Sequence, residues 1–339
     1  MNVSMWRKAL QVIPQVSKEE WDHLDIVSKW LISTRAVVLI MTFISGAIAG
    51  ILAIQNGMFN FVNWLLLVIG LIMAHATNNL FNDYTDYVKG VDKDNYFRAQ
   101  YGPQPLEHGL LSKRQLLTYT AVTGLIALIA GLYLVIQGGT LALILLGLGI
   151  FFVLFYTYPL KYIALGEIAV LIVWGPLMIG GGYYVITEVW DWKVVIASLP
   201  YALGVTTVIF GKHIDKFTED KTKGIHTLPV LIGEKAGRYT VMAMFLLQYI
   251  FVVVLTIVGS SFRGGTYTPV LLIVFLALPS LRQIWPMFTK PKPEHEPENY
   301  PPGWPLYFVG GAFVHNRRFG LLYMLALILN TALVLIFLS

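Results

Sequence analysis

Hydrophobic residues along this chain fall into nine long stretches, separated by shorter polar segments. The stretches run over residues 36–55, 61–80, 115–136, 140–157, 163–185, 195–211, 239–259, 268–286 and 319–338. Each is close to the ~20 apolar residues that an α-helix needs to cross a bilayer. The pattern predicts an all-α membrane protein with a bundle of nine transmembrane helices. Residues 1–34 are predicted to form a cytoplasmic segment, and residues 35–339 a single transmembrane domain.

The composition agrees with a protein whose solvent is the lipid bilayer. Hydrophobic residues make up 56% of the chain and charged residues 13%, whereas soluble domains contain about 45–50% and ~25%. The chain has no cysteine, which excludes disulfides, thiol catalysis and Cys-ligated metals. The net charge of +5 is not concentrated on a basic face with aromatic platforms, so we expect no nucleic-acid partner. The sequence predicts no protein partner either.

The basic residues predict the orientation of the spans. With nine spans and a cytoplasmic N-terminus, all but two of the 24 Lys and Arg residues fall in cytoplasmic segments, the exceptions being Lys193 and Arg263. Basic residues are enriched in the cytoplasmic loops of membrane proteins. We therefore predict a multi-pass protein of the cell inner membrane, with its N-terminus and functional loops in the cytoplasm. The C-terminus is predicted to lie outside.

The segment before the first span begins with a helix-start signal. Ser17–Glu20 has the form of a capping box. Apolar residues then recur at helical spacing at Trp21, Leu24, Val27 and Leu31. This pattern predicts a helix that lies on the cytoplasmic membrane surface. A second distinctive segment, residues 290–305, is rich in proline and is predicted to be a loop before the last span.

The second apolar stretch ends in amides and carboxylates that share one helix face. At 100° per residue, the polar positions fall within an arc of about 140°. They are His75, Asn78, Asn79, Asn82, Asp83 and Asp86. Because polar groups in lipid are costly, this face must point into the bundle. Carboxylate and amide oxygens suit Mg²⁺, which commonly joins one or two carboxylates to substrate phosphates. Asp83 and Asp86 are therefore predicted to be catalytic metal ligands.

A second acidic group follows the sixth apolar stretch. Lys212, Asp215 and Glu219 share a helix face, and Asp220 comes next. The charge distribution puts this group on the same side of the membrane as the first. Two acidic clusters at one mouth can hold two metal ions with a diphosphate between them. Asp215, Glu219 and Asp220 are predicted metal ligands, and Asp215 is also a predicted catalytic residue. It stays open whether Asp215 pairs with Glu219 or, through a bulge, with Asp220.

These two groups carry a resemblance to a known family. The run Asn82-Asp83-Tyr84-Thr85-Asp86 resembles the first aspartate-rich motif of UbiA-family membrane prenyltransferases. The continuation, with Gly90-Val91-Asp92, Arg98 and Gly102-Pro103, is similar to the branch that attaches a polyprenyl chain to 1,4-dihydroxy-2-naphthoate in menaquinone biosynthesis. In the wider family a third Asp often stands at the position of Gly90.

The second motif of that family is matched with one departure. Asp220, Gly224, Thr227 and Leu228 align with its Asp, Gly and Thr-Leu-Pro positions. The position of its first Asp is occupied by Lys216, and the acid stands one residue earlier. The resemblance extends over about residues 35–240 and gives no help with residues 286–320.

The resemblance implies a UbiA-like bundle with cytoplasmic loops that cap the active site. It further implies Mg²⁺-dependent transfer of an isoprenoid chain from a polyprenyl diphosphate to an aromatic acceptor, by ionisation and ring alkylation within the lipid bilayer. The naphthoate or a similar quinone precursor is the expected acceptor. The alternatives are 4-hydroxybenzoate, homogentisate or a glycerol phosphate lipid.

Further site residues are predicted around the two acidic groups. Lys161 follows Tyr156 at the end of the fourth stretch and is the candidate catalytic cation for the diphosphate. The remaining candidates for binding the diphosphate or the acceptor are Asn79, Asn82, Arg98, Tyr156, Lys212, Glu167 and His75. Arg35 is interpreted as a residue that reaches to the membrane interface.

Two other classes of membrane protein also carry several acids. A CDP-alcohol phosphotransferase would have its aspartates in one long motif with Asp-Gly and Ala-Arg, which this chain lacks. An ion-coupled transporter would have its acids near the bilayer midplane, whereas here both groups are predicted at one mouth.

Overall fold

The structure is a computed structural model. It describes residues 2–91, 102–261, 267–298, 300 and 303–337. This part of the chain is helical and contains no β-strand. Eight of its helices are long and apolar enough to cross a membrane. The protein is therefore an all-α integral membrane protein, as predicted, but the predicted number of nine spans is not confirmed by this count.

The helices follow one another with short connections. Three short helices come first: α1 (Val3–Gln11), α2 (Lys18–His23) and α3 (Ile26–Ser33). Four long helices follow: α4 (Ala36–Gln55), α5 (Phe61–Val88), α6 (Lys113–Phe155) and α7 (Gly166–Thr187). The remaining helices are α8 (Trp192–Asp215), α9 (Phe217–Thr222), α10 (Leu228–Ile232), α11 (Glu234–Ser261), α12 (Pro269–Thr289) and α13 (Phe308–Phe337). The first half of α12 is a 3₁₀-helix.

The difference of one span lies in α6, which covers two of the nine predicted stretches. Its 43 residues would extend about 65 Å as one straight helix, twice the ~30 Å of a hydrocarbon core. The backbone leaves the helical conformation at Gly139, with φ 63° and ψ −147°. A Cβ placed on Gly131 would lie 2.6 Å from Leu146 Cδ1. Such distant residues do not touch in a straight helix, so the chain folds back at Gly139.

Contacts with α5 agree with this hairpin. Thr77 Oγ1 donates to Thr123 Oγ1 at 2.8 Å, and the next residue, Asn78, donates from Nδ2 to the Val153 carbonyl at 2.9 Å. Thr123 and Val153 belong to the two ends of α6. Both halves of α6 therefore run beside the same level of α5.

Two helix boundaries differ from the sequence prediction because polar contacts decide them. Helix α5 continues past residue 80 to Val88, so the first acidic group is fully helical. Helix α13 begins at Phe308 rather than near residue 319. Its start is stabilised by the Asp215 carboxylate, which accepts hydrogen bonds from the Phe308 and Val309 amides at 3.0 and 2.9 Å.

The predicted surface helix of the N-terminal segment is two helices. The capping box of Ser17 and Glu20 is confirmed at the start of α2. Asp25 is the N-cap residue of the second helix, α3, because its carboxylate accepts hydrogen bonds from the amides of Val27 and Ser28 at 3.0 Å each. The side chain of Trp21 is buried in a small apolar cluster with residues of α1, α5 and the start of α6. The boundary at residue 34, between the cytoplasmic segment and the transmembrane domain, stays a prediction.

The main apolar core lies between α4, α7, α8, α11, α12 and α13. Helix α7 is π-helical over Val173–Gly181 and contains Pro176, which has no N–H to donate. Wider π-helical turns often occur at functional sites. In this protein the π-helical part of α7 faces the cavity described next.

Candidate active site

A cavity of about 1080 Å³ lies between α4, α5, α6, α7, α8 and α13. It exceeds the roughly 300–1,000 Å³ of common ligand pockets, and most of its wall is apolar. Its basic and histidine lining residues are Arg35, His75, Lys161, Lys212 and Arg317. In the described part of the chain no carboxylate is among the lining residues, so the wall attracts anions.

The first carboxylate of α5, Asp83, is buried and forms an ion pair with Arg35. Arg35 also donates from Nη2 to the Asn79 carbonyl at 3.2 Å, and Asn79 Nδ2 donates to the Thr34 carbonyl at 2.8 Å. Arg35 adopts a left-handed conformation (φ 55°) in the turn before α4, which directs its side chain to α5. The interpretation of Arg35 as an interface residue missed this pair, since no local pattern marks a partner so far along the chain.

The second carboxylate of α5, Asp86, is paired with Lys161. The Lys161 Nζ lies 3.0 and 3.2 Å from the two Asp86 oxygens. Lys161 belongs to the short 3₁₀ turn after α6, where its amide donates to the Tyr156 carbonyl at 2.9 Å. Asn82 Nδ2 donates to Thr157 Oγ1 at 2.9 Å in the same turn. The structure thus brings together these predicted residues from α5 and the end of α6.

Asp215 lies at the end of α8 and has different partners. Its two carboxylate oxygens accept from the first amides of α13, and Lys292 Nζ is 3.6 Å away. The side chain is fully buried. A role of Asp215 as a metal ligand stays a prediction, while its observed contacts are those of a helix cap.

The two following acids point to different neighbours. Burial lowers the pKa of Lys292, and the negative charges of Asp215 and Glu219 partly oppose this shift. The pKa of the Tyr162 hydroxyl is raised to about 12, first by burial and then by the charges of Asp86 and Asp220. Asp215 lies 3.6 Å from Lys292, and the charge of Glu219 acts on the same lysine, whereas the charge of Asp220 acts on Tyr162 together with that of Asp86.

The helix break at Lys216 explains this division. Lys216 is the C-cap residue of α8 and the N-cap residue of α9. The acids before and after it therefore do not lie on one continuous helix face. Lys216 Nζ lies 3.7 Å from Asp220 Oδ1. Lys223, just after α9, donates to the Val91 carbonyl beyond α5. The two acidic helix ends are thus joined directly through the loops that follow them.

Three other predicted residues have well-defined surroundings. Glu167 Oε1 lies 2.6 Å from His213 Nδ1 and accepts from the Leu228 amide at 3.2 Å, so it connects α7, α8 and α10. His75 Nδ1 lies 2.7 Å from Thr42 Oγ1, and the His75 ring lines the cavity. Lys212 lines the same cavity, and Arg98 lies outside the described residues.

The donor set fits magnesium by its chemistry. Within the described ranges no three His, Asp or Glu side chains converge in a ready-made metal site. Mg²⁺ does not need such a cage, because it keeps several waters and is commonly held by one or two carboxylates plus substrate phosphates. The buried oxygens of Asp83, Asp86 and Asp220 are hard ligands of this kind.

In this candidate active site, paired acids and bases from several helices lie beside an apolar cavity. The model of the UbiA prenyltransferase family matches residues 43–300 of the chain. The chain therefore belongs to the UbiA prenyltransferase family and is a membrane prenyltransferase. The predicted resemblance to this family and its naphthoate branch is confirmed.

Individual relatives give the same picture. The chain is 28% identical over 251 residues to a 1,4-dihydroxy-2-naphthoate octaprenyltransferase of Bacillus subtilis, which covers 73% of this chain and 77% of that protein. A UbiA homologue from Aeropyrum pernix has a TM-score of 0.62 at 18% identity, over 85% of this chain and 97% of that one. A UbiA homologue from Archaeoglobus fulgidus bound to DMAPP and Mg²⁺ has a TM-score of 0.51 at 15% identity, over 88% and 99%. The structural likenesses show that the fold is UbiA-like.

Proposed function

We propose that this protein transfers an isoprenoid chain from a polyprenyl diphosphate to 1,4-dihydroxy-2-naphthoate or a similar quinone precursor, with Mg²⁺ as cofactor. Family membership supports the reaction class. The name of the Bacillus relative supports the acceptor, and the homologue bound to DMAPP and Mg²⁺ supports the donor and the metal. The observation that carries most weight is that the loops after the two acidic helix ends are in contact, since Lys223 just after α9 donates to the Val91 carbonyl just after α5.

The ion pairs at the cavity supply the binding groups for a diphosphate. Before substrate binds, Arg35 and Lys161 neutralise Asp83 and Asp86. Both basic residues also line the cavity, so they can bind an incoming diphosphate while the carboxylates are left for metal. Bound Mg²⁺ would neutralise the negative charge that develops on the leaving diphosphate. Asp83, Asp86 and Asp220 are the residues that would hold it.

The cavity wall provides for the other half of the reaction. Breaking the C–O bond releases diphosphate and leaves an allylic cation, which then alkylates an electron-rich ring carbon of the acceptor. The ring becomes aromatic again when that carbon loses its former substituent, such as a proton released to water. Aromatic faces stabilise a cation, and an apolar wall excludes the water that would otherwise capture it. Trp174 and Tyr156 are aromatic lining residues near His75 and Lys161. The roles of Tyr156, Asn79, Asn82, Lys212, Glu167 and His75 in substrate binding are part of this proposal.

We further propose that the chain crosses the membrane nine times, with the N-terminus and the acidic helix ends in the cytoplasm and the C-terminus outside. The fold-back of α6 at Gly139 supports two crossings by that element. The distribution of Lys and Arg supports the orientation. The chain has no cysteine, so single cysteines placed at Asp22 and Trp192 can be labelled with an impermeant maleimide. Labelling of both from the same side would contradict the topology.

The reaction is tested with purified protein in phospholipid nanodiscs. The assay contains radiolabelled geranylgeranyl diphosphate, magnesium and a panel of acceptors: the naphthoate, 4-hydroxybenzoate, homogentisate and glycerol 1-phosphate. We expect a prenylated naphthoate, released diphosphate, and loss of both products when magnesium is chelated. Product with a different acceptor would change the substrate and keep the class. Absence of diphosphate release with every acceptor would refute the proposed function.

A further inference from the structure

One basic residue of the cavity lies outside the cluster of ion pairs. Helix α13 turns Gly310, Phe313, Val314 and Arg317 toward the cavity. Their spacing of three, four and seven residues is that of one helix face. Arg317 is exposed and stands beside the Phe313 ring, with its guanidinium carbon 5.9 Å from the ring centroid. This face therefore presents a cation and an aromatic ring side by side.

Arg317 lies deeper in the bundle than the groups that face the diphosphate. It is nine positions beyond Phe308, the residue that Asp215 caps, which corresponds to about 13 Å along α13. The contact of its neighbour Asn316 with Gly204 of α8 gives a second measure. Gly204 is eight positions before Lys212, or about 12 Å along α8. Both measures separate Arg317 from the acidic helix ends by more than the length of a diphosphate.

Among the described residues, no anionic side chain forms an ion pair with Arg317. Arg35 and Lys161 are paired with carboxylates, whereas Arg317 makes no ion pair within the described part of the chain. The sequence prediction counted Arg317 among the cytoplasmic residues because it began the last span at residue 319, whereas α13 begins at Phe308. An arginine on a membrane-spanning helix is costly in lipid and normally faces a partner or a functional cavity. The neighbouring Arg318 is also exposed but is not a lining residue, so an interface role for Arg318 leaves the orientation of Arg317 unexplained.

We propose that Arg317 and Phe313 form the subsite that binds the carboxylate end of the aromatic acceptor. A guanidinium binds a carboxylate through two parallel hydrogen bonds, and the acceptor ring packs against the Phe313 ring. The electron-rich ring then extends from Arg317 toward the end of the cavity where Arg35 and Lys161 bind the diphosphate. This inference rests on the proposed function, because it needs an acceptor that carries a carboxylate.

The test compares Arg317→Gln with the matched control Arg318→Gln. Each purified variant is assayed with 1,4-dihydroxy-2-naphthoate and with 1,4-naphthalenediol, which lacks the carboxylate. For Arg317→Gln we expect the KM for the naphthoate to rise about 10- to 100-fold, the loss typical of a hydrogen-bonded charge. The KM for the diol and for the prenyl diphosphate should stay at their wild-type values. Arg318→Gln should leave all three KM values unchanged.

Other outcomes separate the inference from the function on which it rests. Equal rises in KM for the naphthoate and the diol, or a rise for the diphosphate, would overturn the carboxylate subsite while the wild-type reaction stands. The carboxylate subsite would also be overturned if Arg317→Gln raised the KM for the naphthoate only in nanodiscs with anionic lipid. In that case the partner of Arg317 would be a lipid headgroup. Calorimetric titration of each folded variant with the naphthoate, without the diphosphate, gives a readout that needs no turnover. Lack of product from the wild-type protein would refute the function itself.

Discussion

The ends of α5 and α8 carry similar acids but use them differently. At the end of α5, Asp83 and Asp86 are each paired with a basic side chain that also lines the cavity. At the end of α8, Asp215 accepts from two backbone amides of α13 at 3.0 and 2.9 Å, and its one basic neighbour in the described residues, Lys292, lies farther away at 3.6 Å. A side-chain cation can turn to a new anion when substrate arrives, whereas a backbone amide is fixed by its helix. We therefore expect the carboxylates of α5 to be more readily available for metal than Asp215.

We expect Asp220 to act with the first group although it follows the second helix. The break at Lys216 separates it from Asp215, and its charge acts on Tyr162 together with that of Asp86. By their surroundings, rather than by their position in a motif, the acids divide into two groups. We call Asp83, Asp86 and Asp220 the cavity group, and Asp215 the structural group. Three substitutions test this division, in order of decreasing effect.

The largest effect is expected for Asp86→Asn. The amide keeps the shape of the side chain but removes the negative charge that holds metal and orients Lys161. We expect kcat to fall about 10²–10³-fold, as when one electrostatic stabiliser is removed from a site. Steady-state assays at saturating magnesium measure this, with the exposed Asp22→Asn as the matched control. Near-wild-type turnover by folded Asp86→Asn would remove the first group from the site.

A smaller effect is expected for Asp220→Asn. If Asp220 shares metal binding with Asp86, its loss should raise the magnesium concentration needed for half-maximal activity about 10- to 100-fold. Glu219→Gln is the informative comparison, because Glu219 lies on the side of Lys292. A magnesium titration of both variants should show the larger shift for Asp220→Asn. The reverse order would mean that Glu219, not Asp220, faces the metal.

The sequence predicted the helical class and the polar face of α5 because both depend on local periodicity. Hydropathy located the stretches, and the 3.6-residue period placed Asp83 and Asp86 on one face. The start of α13 at Phe308 was missed because it depends on a carboxylate from α8. For the same reason the Arg35–Asp83 pair could not be predicted, since its partners lie on different helices.

The division of the second acidic group was also beyond the sequence. Neither Gly nor Pro stands at Lys216, so nothing local signals that α8 ends there. A continuous helix would have put Asp215 and Glu219 on one face and left Asp220 beside it. The loops that join α9 to the end of α5 decide the outcome, through contacts such as that of Lys223 with the Val91 carbonyl.

The smallest effect on catalysis is expected for Asp215, and it separates a cap from a metal ligand. The Asp215 carboxylate accepts through both of its oxygens, whereas Asn has one acceptor oxygen and an NH₂ group that only donates. Loss of a cap costs about 0.5–2 kcal/mol, so Asp215→Ala should lower the Tm most and Asp215→Asn should lower it less. Asp215→Asn should keep most of the activity per folded molecule. Thermal unfolding and turnover of both variants provide the measurement. If Asp215 instead held metal, Asp215→Asn would lose activity as severely as Asp86→Asn, because the amide lacks the negative charge of a carboxylate ligand.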